Sequence, residues 1–305
     1  MDNEDDVMFI SYDYYRIFYY VAKYGSFSQA ANVLLGSQPN ITRAIKNLEN
    51  ELGCVLFVRT NKGVSLTPEG ERLFEHISLA YEHIHSAEEE LKAGKGLESG
   101  TVTVGASETA LHGIIIPTLK RFMKSYPGIK IHISNHSTPQ AISALKSGLV
   151  DFCVVTTPTG VSRPLKETKL KPFRELFVGG SKFRHLCSSP FELENIASYP
   201  YIGLGKTTKT FEFFNSYFSE RNISVLPDME VATTDQILPL IKNDFGLGFL
   251  PDIFASEFIE KGEIFNIPLR EEIPPRWFCL VKDKERPLSI AARELEKYLL
   301  DGSEN

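Results

Sequence analysis

Between residues 13 and 24 the apolar positions Ile17, Phe18, Val21 and Ala22 fall on one side of a helix, and Gly25 follows as the expected C-cap. Ala30, Ala31, Leu34 and Leu35 make a second, shorter apolar surface, which Ser26 or Ser28 can cap and which breaks at Gly36. In SQPNITRAIKNLENELG, residues 37 to 53, Ile41, Ile45, Leu48 and Leu52 recur at helical spacing. Ser37 is placed to cap that third helix, Pro39 sits in its first turn, and Gly53 ends it. Thr42, Arg43, Lys46 and Asn47 occupy the opposite arc. The pattern predicts helix, tight turn, helix. A two-stranded wing should follow, because VLFVRTNKGVSLT (55 to 67) has two short apolar stretches around Thr60-Asn61-Lys62-Gly63.

Thr67-Pro68-Glu69 opens a long helix over 68–92, in which Leu73, Ile77, Ala80, Ile84, Ala87 and Leu91 alternate at spacings of three and four. One narrow apolar seam on a protruding helix is better covered by a second copy than by water; packing on the next domain is the alternative. LKAGKGLESG (91 to 100) is polar and Gly-rich, so a hinge is expected over 93–100. Beyond it, TVTVGAS, IKIHISN and VDFCVV read as strands separated by helices at 109–125 and 138–147, a βαβαβ arrangement that implies a parallel sheet. ELFVGGS, YPYIGLG, a helix at 208–221, a strand near MEVA, a helix at 235–244 and LGFLP continue the alternation. About 200 such residues suggest two lobes with a cleft. The fold class expected is α+β and multidomain: 11–67 a winged helix-turn-helix, 68–92 a linker helix, 93–100 a hinge, and 101–305 a two-lobed α/β domain.

Charge sharpens this picture locally. The chain of 305 residues has 42% apolar content and a net charge of −6, yet residues 11 to 66 hold six bases, including Arg43, Lys46, Arg59 and Lys62, against three acids. A polar helix face with Arg43 and Lys46, preceded by a short helix and followed by a wing with Arg59 and Lys62, suits the major groove and flanking phosphates of duplex DNA. The plain alternative is a solvated face on a structural three-helix unit. The acidic start, MDNEDDVMFI, lacks the basic region of a signal peptide, and no apolar run approaches about 18 residues. The expectation is a cytoplasmic chain with no membrane partner. Cys54, Cys153, Cys187 and Cys279 are scattered and read as reduced, mostly packed thiols rather than metal ligands.

GASET (105 to 109) stands between a strand and a helix, which brings the Ser107 and Thr109 hydroxyls to the carboxyl edge of a parallel sheet, where ligands bind. A helix start with hydroxyls favours a small anion, Glu108 weighs against one, and simple capping is the alternative. GLGKTT (203 to 208) lacks the phosphate-loop glycine, since Pro200 stands in its place. The GLG at 246 to 248 reads as a helix C-cap entering FLP. His83, His85, His132, His136 and His185 have no catalytic or metal partner at useful spacing. No enzyme, metal or cofactor is expected.

Residues 11 to 70 resemble the N-terminal domain of the LysR-type transcriptional regulators at GSFSQAA, SQPNITRAIKNLENELG, LFVRT and LTPEG, in order and with that family's spacing. VTVGAS followed by Thr109, YPGIKIHI, LKSGLVDF, YPYI and GLGFLP resemble the family's effector-binding domain, a two-lobed fold similar to periplasmic solute-binding proteins. The resemblance implies DNA contact by Gln29, Ser37, Gln38, Pro39, Asn40, Thr42, Arg43 and Lys46, with Arg59 and Lys62 on phosphates or the minor groove. It implies a cleft for an unidentified small-molecule effector, an anion among the candidates, lined by Ser107, Glu108, Thr109, Asn135, His136, Ser137, Thr156, Thr157, Gly203, Thr207 and Thr208. Duplex DNA and a second copy through 68–92 are the implied partners, with a tetramer and RNA polymerase as further candidates. The chain departs from the family at Leu35-Gly36, where a polar then an apolar residue is usual, and at Asn40; Gly36 is expected to loosen the turn. An effector-responsive regulator is therefore expected over a solute-binding receptor or an α/β enzyme.

Overall fold

The computed structural model describes residues 10–60, 63–93, 97 and 99–302, which fall into two compact units, Met1–Gly94 and Lys95–Asn305. No helix among them is long and apolar enough to cross a membrane.

The first unit holds α1 (Tyr12–Tyr24), α2 (Phe27–Val33), α3 (Gln38–Leu52), the hairpin β1 (Phe57–Thr60) and β2 (Gly63–Leu66), and α4 (Pro68–Ala93). Its core is built from the expected stripes: Phe18, Val21, Ala30, Ala31, Ile41, Ile45 and Leu48, with Leu56, are buried. Each larger aliphatic among them contributes roughly 1.5–3 kcal/mol by leaving water. Gly25 is left-handed at the end of α1, and its carbonyl accepts the Val64 amide. Gly63 must be glycine there, since its φ is +134° and a Cβ would lie 2.8 Å from the Gly25 oxygen.

Three local expectations need correction. Ser26 caps α2 by accepting from the Gln29 amide, but the Ser37 hydroxyl makes no cap bond; the Ser37 carbonyl accepts from Asn40 and Ile41, and Pro39 has no amide to satisfy. The turn between α2 and α3 is not loosened by Gly36. Its left-handed residue is Leu35, at φ +52° and 95% exposed, and the Leu35 and Gly36 amides close on Asn32 and Ala31. Finally, the seam of α4 is divided. Leu73 and Ile77, with Phe74, pack against the core of this same unit, whereas Ala80 and Ile84 are exposed. Tyr81 stacks on Tyr19 at 4.3 Å and its hydroxyl lies 2.5 Å from that of Tyr20, so α1 occupies that flank. The side chains of Ala87 and Leu91, and most of the expected hinge, lie outside the described residues.

The second unit contains two five-stranded sheets. β3 (Gly100–Ala106), α5 (Glu108–Ala110), α6 (Ile116–Ser125), β4 (Ile129–Asn135), α7 (Thr138–Ser147), β5 (Phe152–Thr156) and β6 (Leu165–Phe173) begin the first lobe. β7 (Glu175–Gly179), β8 (Tyr201–Leu204), α8 (Lys209–Ser219), β9 (Met229–Val231), α9 (Ile237–Lys242), β10 (Leu247–Pro251), α10 (Asp252–Glu260) and β11 (Phe265–Asn266) form the second. The chain then returns to the first sheet through β12 (Arg276–Asp283) and ends on α11 (Ile290–Asp301). Strand order is β4-β3-β5-β12-β6 in one sheet and β11-β7-β10-β8-β9 in the other. The β4-β3-β5 and β10-β8-β9 parts are parallel, and β12, β6, β7 and β11 pair antiparallel. GLG at 246 to 248 is not a helix cap: Asp244 takes the left-handed position at φ +61°, and Gly246 leads into β10 where a Cβ would meet the Pro200 carbonyl at 2.5 Å.

Two passages link the lobes, one at Phe173 to Glu175 and one from β11 to β12. Arg276 and Glu175, each with a side chain 1% exposed, meet there at 2.5 Å. Burial raises the Glu175 carboxyl above its ordinary range, and the Arg276 charge opposes that rise.

Replacing Leu35 by glycine should stabilise the first unit by roughly 0.5–1 kcal/mol, because a fully exposed side chain is lost and a left-handed backbone is relieved. Urea unfolding checks this; a lower midpoint would contradict the strain.

Candidate functional site

In the first unit, α2 and α3 expose polar side chains that meet at Ser28 and Gln38. Gln29, Ser37, Gln38, Pro39, Asn40, Arg43 and Lys46 are all exposed, because the Ile41, Ile45 and Leu48 stripe turns the other side of α3 into the core. Thr42 is half-buried and its hydroxyl donates to the Gln38 carbonyl at 3.0 Å. The Gln38 amide oxygen accepts from Ser28 at 3.1 Å, so Gln38 is held in place between the two helices. Asn47, on the same arc in sequence, turns its amide to the Tyr14 hydroxyl at 3.0 Å and serves the fold. Lys62 and the Arg59 side chain lie outside the described residues.

In the second unit a pocket of about 420 Å³ opens between the lobes. Ser107, Glu108, Thr109, Asn135, His136, Ser137, Thr156 and Thr208 come together in its wall. Thr157, Gly203 and Thr207 do not. The Thr157 hydroxyl accepts the Trp277 amide and is spent on β12, Gly203 lines an adjoining cavity inside the second lobe with Tyr201, Phe249 and Thr210, and Thr207 is exposed. Sequence reasoning missed Thr138, Leu204, Lys209, Thr210, Ala232, Thr233 and Thr234, which complete the wall. The signal was available: Thr233-Thr234 follows a strand with Gln236 at capping-box spacing, as Ser107, Ser137 and Thr208 precede their own helices.

Four helix starts therefore converge. Ser107 and Ser137 cap helices at the carboxyl ends of β3 and β4, and Thr208 and Thr233 cap helices after β8 and β9. The Ser107 hydroxyl accepts from Ala110 and the Thr208 hydroxyl from Phe211. Each start carries partial positive charge, and together they make a polar cradle for negative charge. Lys209 is the one cation of the wall and Glu108 the one acid. Glu108 is engaged within the first lobe by His112 at 2.9 Å and by the Asn135 amide, and Lys209 pairs with Glu212. The His136 ring bonds Ser134 at 2.6 Å.

Comparison with known proteins adds two family matches. Residues 12–71 match the model of the bacterial regulatory helix-turn-helix protein, lysR family, and residues 95–304 match that of the LysR substrate binding domain. A probable RuBisCO transcriptional regulator of Thalassiosira pseudonana is 30% identical over 81% of this chain and 81% of that protein. The HTH-type transcriptional regulator CzcR of Bacillus subtilis is 26% identical over 94% and 96%. Among solved structures, full-length CbnR complexed with its target DNA superposes with a TM-score of 0.72 at 17% identity, covering 96% of this chain and 99% of that one. The effector binding domain of QuiR in complex with shikimate gives 0.60 at 18% identity, over 68% and 98%. At these identities the two structures speak for the fold alone.

Ser107→Ala combined with Thr109→Val should leave secondary structure intact by circular dichroism while abolishing the rise in melting temperature that a cleft ligand gives the unaltered chain. An undiminished rise would place the ligand elsewhere.

Proposed function

Because the chain belongs to the LysR family of transcriptional regulators, with a helix-turn-helix DNA-binding domain and an effector-binding domain, we propose that it reads duplex DNA with the exposed arc of α3 and is controlled by a small carboxylate in the cleft. The observation that carries the second half is the convergence of four capped helix starts, two from each lobe, on one pocket. A ligand that touches both lobes has different affinity for open and closed arrangements, and that difference is what shifts an equilibrium. Hydroxyls and helix amides suit a carboxylate; Lys209 adds one charge, and Glu108 is held by His112 and Asn135.

On the DNA side Arg43 is the base-reading residue, supported by its exposure on α3, where the exposed Asn40 and Lys46 flank it one turn away on either side. Arg59 and Lys62 in the wing are assigned to phosphates. The segments 11–67, 68–92, 93–100 and 101–305 serve as reader, dimer helix, hinge and sensor. A homodimer through the exposed Ala80 and Ile84 of α4 presents two α3 helices to two half-sites, and pairs of dimers and RNA polymerase are the further partners such a regulator addresses. The setting is the cytoplasm.

A melting-temperature screen of the full chain against small carboxylates and their amides tests the sensor. A rise with at least one acid and none with its amide is expected, and no response to any acid contradicts the anion reading. Arg43→Ala should cost about 1–3 kcal/mol per half-site and flatten sequence preference in a footprint, with non-specific binding kept. Ile84→Asp should halve the sedimenting mass without unfolding the chain; a persistent dimer would move the interface off α4.

A further inference from the structure

We infer that Arg276, out of any ligand's reach, sets the ligand class of the cleft by fixing the direction of two threonine hydroxyls, one from each lobe, so that both offer protons to a carboxylate. The inference rests on the anion reading of the cleft and deepens it.

Arg276 starts β12, and its side chain is 1% exposed. Nε donates to the Thr157 carbonyl at 2.8 Å and Nη1 to Glu175 at 2.5 Å. Nη2 donates to the Thr156 hydroxyl at 3.0 Å and to the Thr210 hydroxyl at 3.1 Å. Thr156 ends β5 in the first lobe, Thr210 lies in the first turn of α8 in the second, and both line the cleft. The rings of Phe173 and Phe213 lie 5.4 and 5.0 Å from the guanidinium carbon.

A hydroxyl has one proton and two lone pairs, and a guanidinium has donors only. Each threonine oxygen is therefore obliged to accept, and its own proton must point away from Arg276. Among the described residues neither proton is taken by a protein acceptor, and the hydrogen bonds of both hydroxyls are those from Nη2. Glu175 balances the guanidinium, so what the cleft wall gains is not net charge but two O–H donors turned away from Arg276, Thr210 standing where the cleft adjoins the second-lobe cavity. A carboxylate has an oxygen for each. A primary amide puts an NH2 where the carboxylate has its second oxygen, so the hydroxyl that would meet that oxygen faces N–H donors instead, which lowers affinity.

Titration calorimetry on the full chain tests this with acetate, benzoate and succinate, each against its amide. Thr156→Val and Thr210→Val keep volume and remove the donor; Thr156→Ser and Thr210→Ser keep it. Each valine should weaken the acid about tenfold or more and the amide less than about threefold, and each serine should restore the acid to within about threefold. In an Arg276→Lys background, where one ammonium replaces the fork, Thr210→Val should add less than about twofold. Should that background not fold, the threonine variants alone decide. If the valine variants bind acid as tightly as the unaltered chain, or lose acid and amide equally, the inference fails while the anion reading stands. If no acid binds the unaltered chain, the anion reading fails and takes this one with it.

Discussion

The contact between Arg276 and Glu175 is the constraint around which the second unit is arranged. It sits where the chain passes between lobes, with both side chains 1% exposed, and Arg276 also bonds Thr156, Thr157 and Thr210. Burying a guanidinium and a carboxylate costs several kcal/mol per ion, offset only when geometry and further hydrogen bonds are good. Four named partners meet that condition. Removing either charge would leave the other buried and unpaired, at a cost of about 3–5 kcal/mol. A hydrophobic pair could hold the lobes as well; it could not direct hydroxyls into the cleft.

From that junction the rest of the sensor follows by sheet topology. Parallel strands end at one edge, and the helices after β3, β4, β8 and β9 start there with a Ser or Thr cap. The residue that satisfies its own helix amide thus also lines the cleft, so capping and binding, posed as alternatives for Ser107, are compatible. In the DNA-binding unit α4 gives Leu73 and Ile77 to its own domain and leaves Ala80 and Ile84 exposed, so one helix completes a core along only part of its length.

Much of this was legible in the sequence. The stripes Phe18, Val21, Ile41, Ile45 and Leu48 and the caps at Gly25 and Gly53 mark the helices and their ends through strictly local chemistry. Ser107 and Thr109 could be named because a strand-to-helix junction announces itself by hydroxyls, whereas Asn135, His136, Ser137, Thr156 and Thr208 were named only through the family resemblance. What escaped depended on distant partners. Leu35 takes the left-handed position beside a glycine better suited to it, because the Leu35 and Gly36 amides close onto α2 carbonyls. β12 and β6 were not singled out, since the return of the chain to the first sheet has no local signature. Arg276 reads as an ordinary charge before Trp277, and only the folded chain brings Glu175 to it across 101 positions.

Hydrogen–deuterium exchange of the full chain, with and without a carboxylate that raises its melting temperature, tests the central claim most directly. Slowed exchange should appear together in residues 107–111, 137–141, 208–212 and 233–237, the four helix starts of both lobes, because a ligand in the cleft draws on the amides there. Protection limited to one lobe, or absent from all four, would contradict a ligand held between them.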